Sequence, residues 1–236
     1  METEEKLGVR STFFFLIESI PFKLCSPSEW KLSLGRYNID NKRLGEVITN
    51  LKEQGWEIGL HGSYRSYNNA DLLRKEKMQL ERVVGHNVIG IRQHYLNWGD
   101  DTWGFQKAVG FRYDSTLGFT NKIGYYKDLS SPFQHVDGGV IEFPLAIMDS
   151  CYMETKDRIN ELNRIVEQTD RSNGVLVLNW HSNSWNDFEF PGYKKNYLQI
   201  IQRLLDKNAV FKTLGEFCRD YENIDLQSKA VKKQSQ

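Results

Sequence analysis

Short apolar runs alternate along the chain with longer amphipathic segments. The runs are rich in β-branched and aromatic residues, which is typical of buried strands. The predicted strands cover residues 11–17, 56–60, 88–93, 111–116, 139–145, 175–181 and 210–214. In the amphipathic segments apolar residues recur three and four positions apart, which predicts helices over residues 40–55, 69–85, 102–110, 156–174 and 191–208. This alternation predicts parallel strands joined by helical crossovers.

The number of predicted strands decides between two α/β architectures. Seven strands in one chain of 236 residues favour a barrel over an open sheet. No Pro-, Gly- or Ser-rich linker divides the sequence. We therefore expect one (β/α) barrel domain of about seven parallel strands over residues 1–222, followed by a disordered polar tail over residues 223–236.

Composition excludes several classes of partner. Thirty-one basic and thirty-one acidic residues balance, so no net charge favours nucleic acid or an anionic membrane surface. The cysteines, Cys25, Cys151 and Cys218, are odd in number and widely spaced, which favours free thiols over disulfides. The first residues lack the apolar segment of a secretory signal, and no apolar run approaches the ~20 residues of a membrane helix. We expect a cytoplasmic protein that does not insert into membranes.

Polar side chains with catalytic potential stand at the ends of several predicted strands. His61 follows the second strand, Arg92 and His94 end the third, Asp114 ends the fourth, and His181 ends the sixth. In a parallel barrel these ends meet at one rim, where the ligand site lies. Two neutral imidazoles with a carboxylate or hydroxyl can hold a divalent metal ion, and a third imidazole can protonate a leaving group. The pattern predicts metal-assisted hydrolysis.

Six short motifs, in this order, carry a resemblance to a known family. They read TFFF, EIGLHGS, GIRQHY, YDST, EFPL and LNWH, and the resemblance that they carry covers about residues 8–214. This set resembles the polysaccharide deacetylase superfamily (carbohydrate esterase family four). The resemblance implies a distorted (β/α) barrel that binds zinc or a similar divalent ion. It also implies removal of N- or O-acetyl groups from sugar polymers or related acylated amines.

The resemblance implies catalytic roles for three residues. His181 matches the histidine of the final motif, which is the expected general acid. Arg92 matches the arginine that steadies the catalytic base. Asp114 matches the acidic residue of the fourth motif, which helps to hold the active-site arrangement.

The metal ligands implied by the resemblance are only partly present. His61 matches the first histidine of the metal motif, whose second histidine lies four places further on. This chain has Arg65 at that position, so His94 and Ser66 are the candidates to replace the second ligand.

The family's first strand, which ends in two adjacent aspartates, has no counterpart in the sequence. One of these aspartates is the catalytic base and the other a metal ligand. The residues METEEKLGVRS before TFFFLI contain no aspartate and are typical of the helix that follows that strand. Three explanations are open: a shortened chain, a start assigned too late, or a protein that is not a catalyst. Asp114 and Asp149 are the two candidates for a replacement base.

Two functions are therefore compared. The first is a metal-dependent, deacetylase-like hydrolase acting on N-acetylated or O-acetylated sugars of a polysaccharide or its precursor. The second is a catalytically inactive carbohydrate-binding protein on the same scaffold. Tyr95, Trp98 and Trp180 are candidate substrate-binding residues in both, because aromatic rings stack on sugars; packing in the core is the alternative for each of them.

Overall fold

The computed structural model describes residues 1–18, 20, 22–34, 37–135 and 139–234, with side chains to residue 224 except those of residues 28, 31 and 34. The strands are β1 Thr12–Leu16, β2 Glu57–Gly62, β3 Gly90–Gln93, β4 Tyr113–Asp114, β5 Phe133–Gln134, β6 Ile141–Glu142, β7 Leu145–Met148 and β8 Val177–Asn179. The helices are α1 Glu2–Lys6, α2 Trp30–Leu34, α3 Lys42–Glu53, α4 Ala70–Val84, α5 Thr102–Val109, α6 Asp149–Glu154, α7 Arg158–Arg171, α8 Tyr193–Leu205 and α9 Leu214–Gln234. The expected α/β class, with parallel strands and helical crossovers, is confirmed.

The chain divides into two compact units. Unit 1 contains residues 1–114, 134–141 and 212–236, and unit 2 contains residues 115–133 and 142–211. Among the described residues, no helix combines the length and the apolar character needed to cross a bilayer.

Unit 1 is built on a parallel sheet in which β1, β2, β3 and β4 are neighbours in that order. The unit-1 residues of β6 and β5 extend the order to β1-β2-β3-β4-β6-β5. Leu16 is paired with His61, His61 with Arg92, and Ile91 with Asp114. Because paired residues of neighbouring strands point to the same side, this register decides which side chains can meet.

The two faces of this sheet differ in chemistry. One face packs on α3 and α4 in an apolar core that includes Ile48, Leu60, Leu73 and Ile91. Since successive side chains of a strand point to opposite faces, the partners of His61 lie on the other face. Two asparagines cap the helices of the core: Asn41 accepts N–H bonds at the start of α3, and Asn69 does so at the start of α4.

Unit 2 has a smaller core around the parallel pair β7–β8. Its buried apolar residues include Ile147 of β7, Leu162 and Ile165 of α7, and Ile200 and Leu204 of α8. β7 runs directly into α6, so that Asp149 stands at the junction of the strand and the helix. This junction and the carboxyl end of β8 position the unit-2 site.

The strand predicted over residues 210–214 is wrong. The backbone N–H of Leu214 donates to Thr12 Oγ1 and that of Gly215 to Glu57 Oε2, so these groups bond to side chains and form no ladder. α9 begins at Leu214 instead and includes residues 223–234, where we expected a disordered tail; residues 235–236 lie outside the described part of the chain.

The strand predicted over residues 139–145 is divided in two. It is replaced by β6 and β7, with Phe143 and Pro144 between them. Pro144 has no N–H to donate to a ladder, which accounts for the interruption.

Candidate active site

His61 and Arg92 lie on the same face of the unit-1 sheet, at the carboxyl end of their strands. His61 Nδ1 is 2.8 Å from the backbone oxygen of Arg92, an acceptor, which assigns the ring proton to Nδ1 and the lone pair to Nε2. The guanidinium carbon of Arg92 lies 4.6 Å from the centre of the Phe14 ring. Gly59 leaves room for this ring, since a Cβ at residue 59 would be 2.6 Å from it. The predicted pair of His61 and Arg92 is therefore brought together.

His94 adds a second imidazole to this edge of unit 1. Its ring centre is 5.1 Å from that of His61, and the two planes are inclined at 67°. The next two residues, Tyr95 and Leu96, have left-handed backbone angles, with φ of 57° and 54°. Such angles are uncommon for residues other than glycine and concentrate at functional sites. The turn leaves Tyr95 51% exposed beside the buried edge of His94.

Two buried glutamates accept backbone N–H groups of the loop after β2, and the sequence analysis missed both. Glu18 follows β1, and its Oε2 atom lies 3.7 Å from Nδ1 of His94. Glu76, on α4, accepts the backbone N–H of Ser63. Glu76 stands on the apolar stripe of α4, three residues after Leu73, and a charge at such a position is the signal that could have identified it.

The two glutamates differ in pKa. Burial alone would raise the pKa of Glu18, but His94 and the backbone N–H groups of Tyr64 and Ile20 outweigh it and hold the pKa below its usual value. Burial raises the pKa of Glu76 to about 7, because the bonds from Ser63 and Ser66 oppose it only in part. Glu18 is therefore an ionised carboxylate at neutral pH, whereas Glu76 is only partly ionised.

Two other predicted residues point elsewhere. Asp114 is fully buried, and its Oδ2 atom accepts a hydrogen bond from the Gln106 side chain of α5. Its pairing with Ile91 places it on the face that packs against helices, opposite His61. Ser66 is also fully buried, and its hydroxyl lies 3.1 Å from Gln93 Oε1. The structure does not bring Asp114 or Ser66 to the side of the sheet that carries His61.

His61 and His94 are the residues of unit 1 that could act as ligands of a divalent metal ion. Within the described residues, no group of three or more His, Cys, Asp or Glu side chains is arranged to hold a metal ion. Arg65, at the position where the family has its second histidine, forms an ion pair with Glu29. His61 and His94 are neighbours and fit as two ligands, but the described residues do not complete a three-ligand site.

Unit 2 contains a carboxylate–imidazole pair of good geometry. Nδ1 of His181 is 2.8 Å from Asp149 Oδ1, and the backbone N–H of His181 donates to Asp149 Oδ2 at 2.9 Å. The side chain of Asp149 is 3% exposed and that of His181 50% exposed. Burial would raise the pKa of Asp149, but its bonds to His181 and to the N–H of Ser150 hold it below its usual value. Asp149 thus fixes the ring of His181 and turns the Nε2 edge outward.

The candidate sugar-binding aromatics lie in different surroundings. Tyr95 and Trp98 are 51% and 37% exposed in unit 1. Trp180 in unit 2 is packed among Tyr152, Tyr193 and Tyr197, with its ring centre 5.6 Å from that of Tyr197. Exposure favours Tyr95 and Trp98 as binding residues, whereas the surroundings of Trp180 are those of a packing residue.

Comparison with solved structures identifies the fold. A candidate polysaccharide deacetylase from Mycobacterium smegmatis superposes with a TM-score of 0.66 at 18% identity, over 95% of this chain and 76% of its own. The chain has the polysaccharide deacetylase fold. The chitin deacetylase of the fungal pathogen Colletotrichum lindemuthianum matches with a TM-score of 0.52 at 14% identity, over 92% of this chain and 78% of its own. The resemblance drawn from the sequence motifs is therefore confirmed at the level of fold.

The deacetylase fold also supports other chemistry. PuuE allantoinase matches with a TM-score of 0.66 at 13% identity, over 94% of this chain and 70% of its own. No protein-family model and no curated protein matches the sequence. Because one fold carries different reactions, function has to be argued from the side chains of the site.

Proposed function

We propose that this protein is a hydrolase of the deacetylase type, which cleaves acetyl groups from N-acetylated or O-acetylated sugars. A precursor of a surface polysaccharide is the substrate that agrees with the cytoplasmic location expected from the sequence. The observation that carries the proposal is the Asp149–His181 pair, in which a buried carboxylate orients a half-exposed imidazole. The deacetylase fold supports it.

The chemistry assigned to His181 is proton donation to the leaving group. Water adds to the acyl carbon and releases a proton to solvent, and the bond from that carbon to nitrogen or oxygen breaks. The leaving atom takes a proton from Nε2 of His181, which regains one from solvent. Asp149 accepts from Nδ1 and fixes the ring. Of the two carboxylates considered as replacement bases, Asp149 is thus committed to His181, and Asp114 is bonded to Gln106.

For unit 1, taken by itself, we propose a divalent metal ion. His61 and His94 would hold it as neutral imidazoles. When bound, such an ion would supply Lewis-acid chemistry toward an acyl oxygen. Arg92 is proposed as the neighbouring positive charge, at the place where its guanidinium stacks on Phe14.

One observation favours a second function, that of a sugar-binding protein without catalysis. Tyr95 and Trp98 expose aromatic surface in unit 1, and such rings bind sugars by stacking. This function needs no proton donor, so it makes no use of the Asp149–His181 pair.

Acetate release from N-acetylglucosamine oligomers and from acetylated sugar precursors tests the proposal. We expect release by the wild type, and a loss of about 10²–10⁴-fold in Asp149→Asn and His181→Ala, the usual contribution of a general acid. Asp170→Asn is the matched control, because Asp170 is exposed on α7 of the same unit.

The same samples decide between the two functions. If His181→Ala and Asp170→Asn both release acetate at the wild-type rate, His181 is not the acid. If the wild type binds the oligomers in calorimetry and releases no acetate, the second function replaces the first.

A further inference from the structure

Glu18 joins three segments at the carboxyl ends of neighbouring strands. Its Oε1 atom accepts the N–H of Ile20 at 3.1 Å, in the segment after β1. Its Oε2 atom accepts the N–H of Tyr64 at 3.2 Å, in the loop after β2. The same Oε2 atom lies 3.7 Å from Nδ1 of His94, in the turn after β3. The side chain is 1% exposed, so its contacts are with protein groups.

The position of His94 Nδ1 calls for an acceptor. This atom is buried and has no hydrogen-bond partner among the residues that the structure describes. Leaving a buried polar atom unpaired is energetically unfavourable. The gap to Glu18 Oε2 exceeds a hydrogen bond by less than 1 Å, so a small rotation of the ring would close it.

We propose that Glu18 is a positioning residue, which holds His94 as the Nδ1–H tautomer and makes Nε2 the acceptor nitrogen of its ring. The inference deepens the proposed function, because it names the residue behind one of its two imidazoles. Both oxygens of Glu18 act as acceptors of backbone N–H groups, so the proton of a neutral ring facing them belongs on Nδ1. His94 then binds a cation or accepts a proton through Nε2.

His61 also directs its Nδ1 atom to an oxygen, but to a backbone oxygen instead of a carboxylate. His61 turns Nδ1 to the backbone oxygen of Arg92 at 2.8 Å. With Glu18 behind His94, both rings direct Nδ1 toward a fixed oxygen and have Nε2 as the acceptor. Histidine ligands are commonly held in this way, with the second nitrogen bonded to a carboxylate or a backbone carbonyl.

The left-handed turn after His94 supports the same role. Tyr95 and Leu96 keep strained backbone angles, and such strain persists only where the surroundings impose it. The ring of His94 contacts those of His61 and Tyr95, with centres 5.1 and 4.6 Å away. Glu18 lies on the buried side of this aromatic group, where its charge can orient the imidazole.

Nuclear magnetic resonance of ¹⁵N-labelled histidine rings tests the inference directly. At a pH where the imidazoles are neutral, we expect His94 of the wild type to be predominantly the Nδ1–H tautomer. The signals of His94 are assigned as those that disappear from the spectrum of His94→Gln. In Glu18→Gln we expect the tautomer ratio to move toward Nε2–H by about tenfold or more, because a charge-assisted bond is lost. Glu53→Gln, an exposed glutamate of α3, is the control and leaves the ratio unchanged.

The tautomer measurement can fail or succeed independently of the acetate-release test of the proposed function. An Nε2–H tautomer of His94 in the wild type overturns the inference, even if Glu18→Gln fails to fold. An unchanged ratio in a folded Glu18→Gln also overturns it. A wild type that releases no acetate but shows the expected tautomers retains the inference and loses the proposed function.

Discussion

Two buried carboxylates, Glu18 and Asp149, each lie beside the Nδ1 atom of a histidine. Asp149 binds His181 through both oxygens, at 2.8 and 2.9 Å, and therefore fixes the ring and its backbone together. Glu18 divides its oxygens between two backbone N–H groups and is 3.7 Å from His94. Asp149 is thus dedicated to one histidine, whereas Glu18 also ties two loops together.

Gly90 shows how tightly the site's sheet is packed, and it gives a prediction at the residue scale. A Cβ at residue 90 would overlap the ring of Tyr113, which is fully buried and cannot swing away. We expect Gly90→Ala to lower the free energy of unfolding by about 1–3 kcal/mol, the usual cost of overpacking a core. Urea unfolding followed by fluorescence measures it.

Gly104→Ala is the matched control for this prediction. Gly104 is exposed inside α5, and a Cβ there meets no atom within 4 Å. Alanine is the better helix former, so we expect a gain of about 0.5–1 kcal/mol. Equal effects of the two substitutions would show that the Gly90–Tyr113 contact does not limit packing.

At the scale of elements, α4 holds the loop after β2 through a carboxyl group whose pKa is raised. Glu76 accepts the N–H of Ser63, and burial raises its pKa to about 7 from 4.5. Between these values the folded protein keeps a proton that the unfolded chain has released, so stability falls as pH rises through this window. At one pKa unit for about 1.4 kcal/mol, the total loss is on the order of 3 kcal/mol.

Glu76→Gln removes this titration and keeps an acceptor for Ser63. We expect the stability of the variant relative to wild type to increase from about pH 5 to about pH 8 and then to level off. Denaturant unfolding at several pH values measures the difference in the free energy of unfolding between variant and wild type. The titration of the histidines is common to both proteins and cancels in this difference. A constant difference across this range, or the same trend in Glu53→Gln, would contradict the prediction.

The sequence identified most elements but only part of the site's surroundings. Periodicity located α3 and α4, because each has an apolar stripe and a capping asparagine. It could not separate the two faces of β3 and β4, since strands buried on both sides lack alternation, and Asp114 therefore faces α5 unexpectedly. Glu18 was missed because nothing local to residue 18 indicates the N–H of Tyr64 or the ring of His94.

At the scale of the whole molecule, unit 1 is assembled from segments that are distant in the chain. Its last segment returns to the start of the sheet, where Leu214 bonds to Thr12 and Gly215 to Glu57. Thr12 and Tyr113 also donate to the carboxylate of Glu57. These contacts join residues about 160 to 200 positions apart. They must therefore offset the entropy that is lost when so long a segment of chain is closed into a loop.

Truncation of the chain tests the importance of this return segment. Without residues 212–236, Glu57 loses the N–H of Gly215, and the pocket of the fully buried Cys218 is left empty. We expect the free energy of unfolding to fall by about 3 kcal/mol or more, since a lost bond to a charged group and a core cavity add together. Chemical unfolding of the two proteins gives the value.

A shorter truncation, without residues 225–236, serves as the control for the longer one. The contacts of the return segment that we identify are made by residues from Leu214 to Glu222, and Glu222 is paired with Arg112. The shorter truncation therefore keeps all of these contacts. We expect its unfolding midpoint to stay close to that of the full chain. If both truncations destabilise the protein equally, the Glu57 contacts are not what holds the return segment, and the helical residues beyond 224 hold it instead.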